Sequence, residues 1–291
     1  MDFVTPKELI QDAISVAERK AELSIGAMLL RGALSGVFLG FATSLALGAT
    51  AQGLPPIVGA ILFPVGFVML VLLGLELATG NFAFLPIGAA AGSVSFGKLV
   101  RNWTWVYLGN FAGSLLYAFL FYAAVTDFGA VNGGKIGDLL KAAAQAKTLG
   151  YMVIGAKGWW TALIKGILCN WMVTIGAVLA LASRSTIGKI VAMWLPILTF
   201  FAQGFEHSIV NVFVIPAGMM FGAPVPVRSW LFWNQLPVTI GNIISGALFT
   251  GLALYATFRV KPSPVVDSAE LMDPDDADGD AAFAPATGTM G

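Results

Sequence analysis

Long runs of apolar residues, almost free of charge, constrain this sequence more than any other feature. Apolar residues make up 57% of the chain and charged residues only 11%, whereas a soluble domain carries about 25% charged residues. A helix that crosses a bilayer needs about 20 apolar residues. We therefore predict an all-α membrane protein with six transmembrane helices and no nucleic-acid partner. The apolar stretches cover residues 27–49, 57–97, 104–125, 159–182, 190–227 and 237–258.

The segments that flank these stretches are polar. Residues 1–26 contain no apolar run of signal-peptide length. Their apolar positions recur at helical spacing after Thr5 and Pro6, which predicts an amphipathic cytoplasmic helix lying on the membrane surface or on a neighbouring subunit. Residues 262–291 hold seven of the 16 acidic residues and little to bury, so we expect a disordered acidic tail. The transmembrane domain is expected over residues 27–261.

Basic residues indicate the orientation, because cytoplasmic loops carry an excess of Lys and Arg. If the N-terminus is cytoplasmic, ten basic residues fall on the cytoplasmic side and five on the other side, with Lys165 left within the fourth span. We therefore expect a multi-pass protein of the cytoplasmic membrane with both termini inside. The five on the outer side are Lys135, Lys141, Lys147, Lys157 and Arg228.

The second and fifth apolar stretches are too long for one straight crossing. Gly and polar residues interrupt them at residues 79–81 and 206–208. Each stretch is either a hairpin of two spans or one span broken at mid-membrane. A hairpin would place the loop that holds Lys98 and Arg101 on the outer side, against the charge bias of cytoplasmic loops. This favours the broken span. Irregular backbone at that depth is tolerated only where it is buried or lines a watery cavity.

Three sequence blocks occur twice in the same order, at offsets of 134, 130 and 132 residues. Each copy holds three spans, an odd number, so the two copies must be inserted in opposite orientations. This predicts a 3+3 inverted repeat over residues 27–126 and 158–260, with the two broken helices meeting at the bilayer midplane. The matching blocks are residues 30–34 and 164–168, 74–81 and 204–211, and 106–110 and 238–242.

The paired breaks predict a permeation site. The N-terminal ends of broken helices carry partial positive charge and unpaired N–H groups, which favour an anion or a polar solute. Carboxylates in the membrane must be paired or hydrogen-bonded, so we expect them to accept from backbone N–H groups and hold the loops, with nearby Asn side chains closing or capping the broken helices. These loop-stabilising residues are Glu76, Asn81, Glu206, Asn211 and Asn242, together with Asn110.

His207 is the only histidine in the chain. Imidazole exchanges protons near neutral pH, so a His at a mid-membrane break indicates a transport or proton role. One His and one Cys, Cys169, cannot form a metal site, and no metal or cofactor is expected. Thr79 offers a hydroxyl to the pore, Asn170 can cap or line it, and Lys165 either snorkels outward or attracts anions.

Four motifs together resemble the formate/nitrite transporter family. They read Gly-Leu-Glu-Leu-Ala-Thr-Gly-Asn at 74–81, Lys-Gly-Ile-Leu-Cys-Asn-Trp-Met-Val at 165–173, Gly-Phe-Glu-His-Ser-Ile-Val-Asn at 204–211 and Pro-Val-Thr-Ile-Gly-Asn-Ile-Ile at 237–244. The resemblance covers about residues 5–259. It implies an aquaporin-like fold, a homopentamer with one pore per subunit, and transport of small monovalent anions. The residues of the last two motifs are most similar to those of formate members.

The resemblance also implies residue roles. His207, Thr79 and Asn170 match the pore residues of the family, and an anion-attracting lysine is expected among Lys147, Lys157 and Lys165. Many members have Phe where this chain has Ala78. The residues that match the hydrophobic constrictions are Phe63, Phe67, Leu77 and Phe200.

The expected mechanism starts with attraction of formate to a positive vestibule. In the dry constriction the charged form becomes costly, so a proton from His207 or from water lets neutral formic acid cross. Nitrite, hydrosulfide or a short carboxylate such as acetate or lactate remain alternative solutes. A membrane-embedded enzyme that uses Glu206 and His207 is a distant alternative, because the only further groups that the spans supply are Lys165 and hydroxyls. We expect no enzymatic activity.

Overall fold

The structure, a computed structural model, describes residues 2–259. In this range the chain is helical, and the sole extended pairing is a single bridge between Phe3 and Ser183. The acidic tail expected at 262–291 lies outside the described residues. The helices are α1 (Pro6–Ala21), α2 (Ile25–Ala51), α3 (Pro56–Leu62), α4 (Pro64–Leu72), α5 (Ala78–Ala90), α6 (Phe96–Thr126), α7 (Gly134–Val153), α8 (Ala156–Leu179), α9 (Thr186–Ala202), α10 (Ser208–Met220) and α11 (Val227–Phe258).

Four of the described helices are long and apolar enough to cross a membrane, namely α2, α6, α8 and α11. Shorter apolar helices occupy residues 56–72, 186–202 and 208–220. Helix α11 contains two π-helical segments, Leu231–Gln235 and Ser245–Leu252. The prediction of an all-helical chain with several membrane-capable helices is confirmed.

Several helix bounds differ from those expected. Helix α5 ends at Ala90 and α6 begins at Phe96, whereas the apolar pattern ran to residue 97 and resumed at 104. Helix α11 begins at Val227, ten residues before the apolar stretch at 237. Charged side chains such as Lys98, Arg101 and Arg228 lower the local hydropathy, but a helix continues through them where it leaves the apolar layer.

Helix α7 was not predicted at all. Its 20 residues were read as part of a loop, because they are rich in Lys, Ala and Gly and form no apolar run. One side of the helix is buried, at positions that include Leu140, Ala144, Thr148 and Tyr151. Their spacing of three and four residues is the ordinary pattern of an amphipathic helix.

The first non-helical segment lies about one turn earlier than predicted, whereas the second, residues 203–207, overlaps the predicted break at 206–208. Residues 79–81 form the first turn of α5, and the irregular segment is Leu73–Leu77. Helix α4 ends because Gly74 adopts a left-handed φ of 64°, and Gly204 does the same after α9 with a φ of 66°. Both ends form a Schellman motif, in which the residue after the glycine donates its N–H back across the last turn. Glycine has no Cβ to oppose this conformation.

Glycines set the close approach of α2 to α6 and of α8 to α11. A Cβ added at Gly32 would lie 2.9 Å from the Val106 carbonyl oxygen, and one added at Gly166 would lie 2.8 Å from that of Val238. The two contacts occupy matching positions of the repeated blocks. Small residues let membrane helices approach backbone to backbone, which explains the small-residue spacing in both pairs.

The amphipathic helix α1 packs on its own chain. A Cβ at Gly88 of α5 would lie 2.7 Å from the Ala17 side chain of α1, so the two helices are in close contact. The segment before α1 is attached through Asp2, whose carboxylate accepts from the Ser183 hydroxyl and from the N–H groups of Arg184 and Ser185. These hydrogen bonds lower the pKa of Asp2, the Ser183 bond most.

Candidate functional site

His207 and Thr79 meet at the first turns of α10 and α5. The Thr79 hydroxyl oxygen lies 3.0 Å from His207 Nε2, and the two residues are buried, with exposures of 0% and 3%. They are 128 positions apart in the chain, so only tertiary folding brings them together. The sequence had assigned both to the pore on separate grounds.

Hydrogen bonding settles where the histidine carries its proton. His207 Nδ1 accepts the N–H of Val210 at 3.2 Å and caps α10. A ring nitrogen that accepts holds no proton, so the neutral ring carries its proton on Nε2. Nε2 therefore donates to the Thr79 oxygen, and the Thr79 hydroxyl can donate its own proton to a solute.

Asn170 stands beside this pair. Its Nδ2 donates to the carbonyl oxygens of Thr79 at 3.1 Å and Asn242 at 2.7 Å. Its Oδ1 is buried and has no partner within residues 2–259. The Nδ2 bonds tie α8 to the first turn of α5. A buried acceptor such as Oδ1 normally finds a partner, so Asn170 presents an oxygen beside the Thr79–His207 pair that can accept a hydrogen bond.

Aromatic side chains cover the histidine. The Phe200 ring stacks against His207 with centroids 5.9 Å apart, and Phe63 meets Phe200 edge-on at 5.7 Å. Phe67 and Leu77 are also buried and line a cavity next to the Leu73–Leu77 segment. The four predicted constriction residues therefore fall into one pair beside His207 and one pair beside the cavity.

Glu206 lies in a buried cluster of donors. Its carboxylate accepts from Lys147 Nζ at 2.8 Å, the Tyr151 hydroxyl at 2.8 Å and Asn211 Nδ2 at 2.7 Å. Asn234 Oδ1 accepts from Asn211 Nδ2, and Asn234 Nδ2 donates to the Lys147 carbonyl oxygen. The expectation of backbone N–H donors to this carboxylate was wrong. Side chains from α7 and α11 replace them, because α7 lies against α10.

Glu76 has the equivalent surroundings on the other half of the chain. It accepts from Lys20 Nζ at 2.9 Å and from Asn81 Nδ2 at 2.7 Å. Asn102 Oδ1 accepts from Asn81, and Asn102 Nδ2 donates to the Lys20 carbonyl oxygen. Here, too, the donors are side chains rather than backbone groups. The cation comes from α1, as Lys147 comes from α7.

Asn110 and Asn242 connect these clusters to the first turns of α5 and α10. Asn110 accepts from the Ala78 N–H and donates to the Glu76 and Gly32 carbonyl oxygens. Asn242 repeats the pattern, and its three partners are the Ser208 N–H and the carbonyl oxygens of Glu206 and Gly166. Each Asn thus satisfies one N–H at a helix start and a carbonyl of the preceding irregular segment.

The three candidate lysines have different surroundings. Lys147 is paired with Glu206, with 23% of its side chain exposed. Lys165 lies over the Tyr151 ring, with Nζ 5.8 Å from the ring centroid, a cation–π contact. Lys157 is exposed in the first turn of α8. The lysine beside the site with no carboxylate partner among the described residues is therefore Lys165.

A cavity of about 500 Å³ lies beside the Leu73–Leu77 segment, between α1, α2, α4, α5, α8 and α9. Its lining includes Phe67, Leu77 and Gly80, so it reaches the start of α5 next to Thr79. Within residues 2–259 no group of three or more His, Cys, Asp or Glu side chains could hold a metal ion. The site therefore offers polar donors and cations rather than metal ligands.

A sequence profile of the formate/nitrite transporter family matches residues 7–256. The chain belongs to the formate/nitrite transporter family. The resemblance read from the four motifs is thereby confirmed, and the protein is a membrane transporter.

Relatives of this transporter are named for formate. A probable formate transporter of Methanothermobacter thermautotrophicus is 33% identical over 271 residues, which cover 88% of this chain and 97% of the relative. The formate channel BtFdhC of Bacillus thuringiensis is 33% identical, with 90% and 99% covered. The formate channel FocA of Escherichia coli K12 is 31% identical, with 77% and 84% covered. The relatives are transporters and channels.

Two solved structures share the fold. A chain described as an FNT family ion channel superposes with a TM-score of 0.75 at 27% identity, covering 87% of this chain and 99% of its own. A pentameric formate channel with formate bound superposes with a TM-score of 0.66 at 26% identity, covering 80% and 97%.

Sequence reasoning missed several residues of this transporter's site. Lys20 and Tyr151 were not singled out, because they lie outside the apolar stretches. Asn102 and Asn234 could have been found, since they are separated by 132 residues, the same offset as Asn110 and Asn242. Ala78 is fully buried, and its backbone N–H donates a hydrogen bond to Asn110 Oδ1.

Proposed function

We propose that the protein conducts formate across the cytoplasmic membrane and that the anion is protonated beside His207. The observation that carries this proposal is the buried contact between Thr79 and His207 at the starts of α5 and α10, under the Phe200 ring. Two helix N-termini and the hydroxyl hydrogen of Thr79 face one small site. Such a site favours a small anion while it crosses, and the aromatic cover disfavours a hydrated ion.

The proposed architecture is aquaporin-like, a 3+3 inverted repeat of six transmembrane segments. Helices α3 to α5 make the second segment and α9 to α10 the fifth, each broken at mid-membrane. The repeats cover residues 27–126 and 158–260 within a channel domain over 27–261, which ends outside the described range. The matching hydrogen-bond clusters around Glu76 and Glu206 support this proposal.

Residue roles follow from these contacts. Helix α1 is the cytoplasmic amphipathic element of residues 1–26, and both termini are cytoplasmic, in keeping with the charge bias of the loops. We assign four residues to the pore, namely His207, Thr79, Asn170 and Lys165. The loops are held by Glu76, Asn81, Glu206, Asn211 and Asn242, and the constrictions are Phe63, Phe67, Leu77 and Phe200.

The proposed assembly is a homopentamer with a pore in each subunit. The pentameric state is that of the formate channel that superposes on this chain. Apolar side chains along α6 are exposed in the single chain, among them Leu108, Leu116 and Phe119. They suit contact with lipid or with a second subunit.

The mechanism begins with attraction of formate by Lys165 on one side and by the 500 Å³ cavity on the other. The lining of this cavity includes the cations Arg19, Lys20, Arg31 and Lys189. Charged formate is costly to desolvate in the aromatic constriction, so it accepts a proton and passes as formic acid. A proton added to His207 at Nδ1 would displace the Val210 N–H and remove the cap of α10. We therefore assign the proton to water and assign His207 the role of a neutral hydrogen-bond donor through Nε2.

Flux in proteoliposomes tests the proposed substrate. Purified protein should carry labelled formate, and uptake should rise as the pH falls from 7 to 5, because more formic acid forms. Unlabelled nitrite, hydrosulfide, acetate and lactate are then added in turn as competitors. Formate should compete best. If another anion competes better and is itself carried faster, the pore is selective for that anion and the proposed substrate is wrong.

Two variants test the role of His207. His207→Asn keeps an acceptor for the Val210 N–H and a polar N–H, but it cannot exchange protons. We expect it to keep the rise of formate uptake at low pH. His207→Phe removes the cap and the donor, and should slow uptake about tenfold or more.

A flat pH profile in His207→Asn, with folding intact, would assign the proton to the imidazole and contradict a neutral role. Equal uptake by His207→Phe and the parent protein would remove His207 from the pore.

A further inference from the structure

The charge of the 500 Å³ cavity is strongly one-sided. Four of its lining residues are cationic and one, Glu76, is a carboxylate. The cations come from α1, α2 and α9, so the fold gathers them from distant parts of the chain. They are Arg19, Lys20, Arg31 and Lys189.

Two of these cations are already engaged. Lys20 is paired with Glu76 at 2.9 Å, and Lys189 Nζ donates to the Ala180 carbonyl oxygen at 2.9 Å. Arg19 and Arg31 make no ion pair and no side-chain hydrogen bond to any residue between 2 and 259. Lys20 neutralises the carboxylate, so the surplus positive charge rests on the two guanidinium groups and on Lys189.

The rest of the lining strengthens the attraction for an anion. Much of the remaining lining is apolar and includes Phe67, Leu70, Leu77 and Phe84. Coulomb attraction grows as the effective dielectric constant falls, so charges that share a cavity with apolar side chains act more strongly than charges on an open surface. The volume far exceeds what a one-carbon acid fills, and a monovalent anion leaves most of the positive charge uncompensated.

We propose that this cavity is a binding site for a phosphate group, held between the guanidinium groups of Arg19 and Arg31 and the ammonium of Lys189. A guanidinium presents its N–H donors in a fork that matches two phosphate oxygens. A dianionic group with several acceptor oxygens satisfies two forks and an ammonium at once, which a single carboxylate cannot do.

This phosphate is a ligand of the transporter and not the solute that it transports. Phe67 and Leu77, two of the proposed constriction residues, line the cavity, so an occupant would obstruct formate there. That consequence rests on the proposed function, whereas binding itself does not. The phosphate can come from a soluble compound or from a lipid headgroup beside the amphipathic α1, and the two sources are separable by experiment.

Isothermal titration calorimetry on the purified full chain in a non-phosphate detergent tests binding directly. The probes are inorganic phosphate and dihexanoyl phosphatidic acid. Binding of either probe is expected. Arg19→Gln and Arg31→Gln should each weaken binding about tenfold or more. Arg31→Lys keeps the charge and loses the fork, so its affinity should lie between those of Arg31→Gln and the parent protein.

Arg228→Gln is the matched control, because Arg228 is exposed and does not line the cavity. It should bind as the parent protein does. Binding of the lipid alone assigns the site to a headgroup, and binding of inorganic phosphate assigns it to a soluble ligand. The proposal is overturned if neither probe binds, or if the Arg19 and Arg31 variants bind as tightly as the Arg228 variant.

A flux measurement separates this site from the proposed function. Whichever probe binds should reduce formate uptake when it is added on the α1 side, and the reduction should be lost in Arg31→Gln. If the probe binds with the expected variant pattern but uptake is unchanged, the phosphate site stands and the proposed route of formate through this cavity falls.

Discussion

Replacing Glu206 with Gln is expected to lower the Tm of the purified protein by roughly 10 °C. The change leaves Lys147 without a counter-charge in a buried site, which costs about 3–5 kcal/mol. It also turns an amide N–H₂ toward donors that need an acceptor, such as Asn211 and Tyr151. Thermal unfolding in detergent measures the effect, and formate uptake should be lost with it because the α10 start loses its support.

Three further variants show whether the uncompensated charge is the cause. Adding Lys147→Met to Glu206→Gln should recover part of the lost Tm, since the orphaned cation is gone. Glu76→Gln should cost less than Glu206→Gln, because within residues 2–259 the Glu76 carboxylate accepts from two donors, Lys20 and Asn81. Glu22→Gln breaks the exposed pair with Lys98 and should leave Tm unchanged. Equal losses for Glu22→Gln and Glu206→Gln would show that burial is irrelevant.

Replacing Gly113 with Ala is expected to separate α2 from α6. The added Cβ would overlap the carbonyl oxygen of Ala33 on the facing helix, and backbone cannot move aside as a flexible side chain would. Separation also lengthens hydrogen bonds that cross this contact, such as Asn110 to Gly32. Overpacking of this kind costs about 1–3 kcal/mol or more. The measurements are Tm and the yield of monodisperse protein.

Gly97 provides the matched control on the same helix. A Cβ added there meets nothing within 4 Å, so Gly97→Ala should leave Tm unchanged or raise it slightly, because alanine favours the helix. If both alanine variants unfold at the same temperature, close backbone approach is not what holds α2 against α6.

Much of the site could be predicted from paired positions in the sequence. Glu76 with Asn81, and Glu206 with Asn211, were recognised because the same spacing occurs twice, and each pair is hydrogen-bonded in the structure. The family was recognised from the motifs around them and is confirmed. The apolar runs predicted a membrane protein, because their length and lack of charge leave few alternatives.

The partners of those carboxylates could not be predicted. Lys20 and Lys147 lie on α1 and α7, whose hydropathy is too low to mark them as parts of the membrane domain. Their role depends on how these helices pack against α5 and α10. The first irregular segment also lies earlier than predicted, because the prediction rested on the polar residues at 79–81, whereas the preceding helix already ends at Gly74.

Local chemistry therefore determined the membrane class, the helical content, the repeated blocks and the family, since each depends on residue type and spacing along the chain. Tertiary structure alone decided that Thr79 bonds to His207 and that four cations from three helices line one cavity. Those contacts join residues tens to more than a hundred positions apart, and their distances follow from helix packing, which no local pattern records.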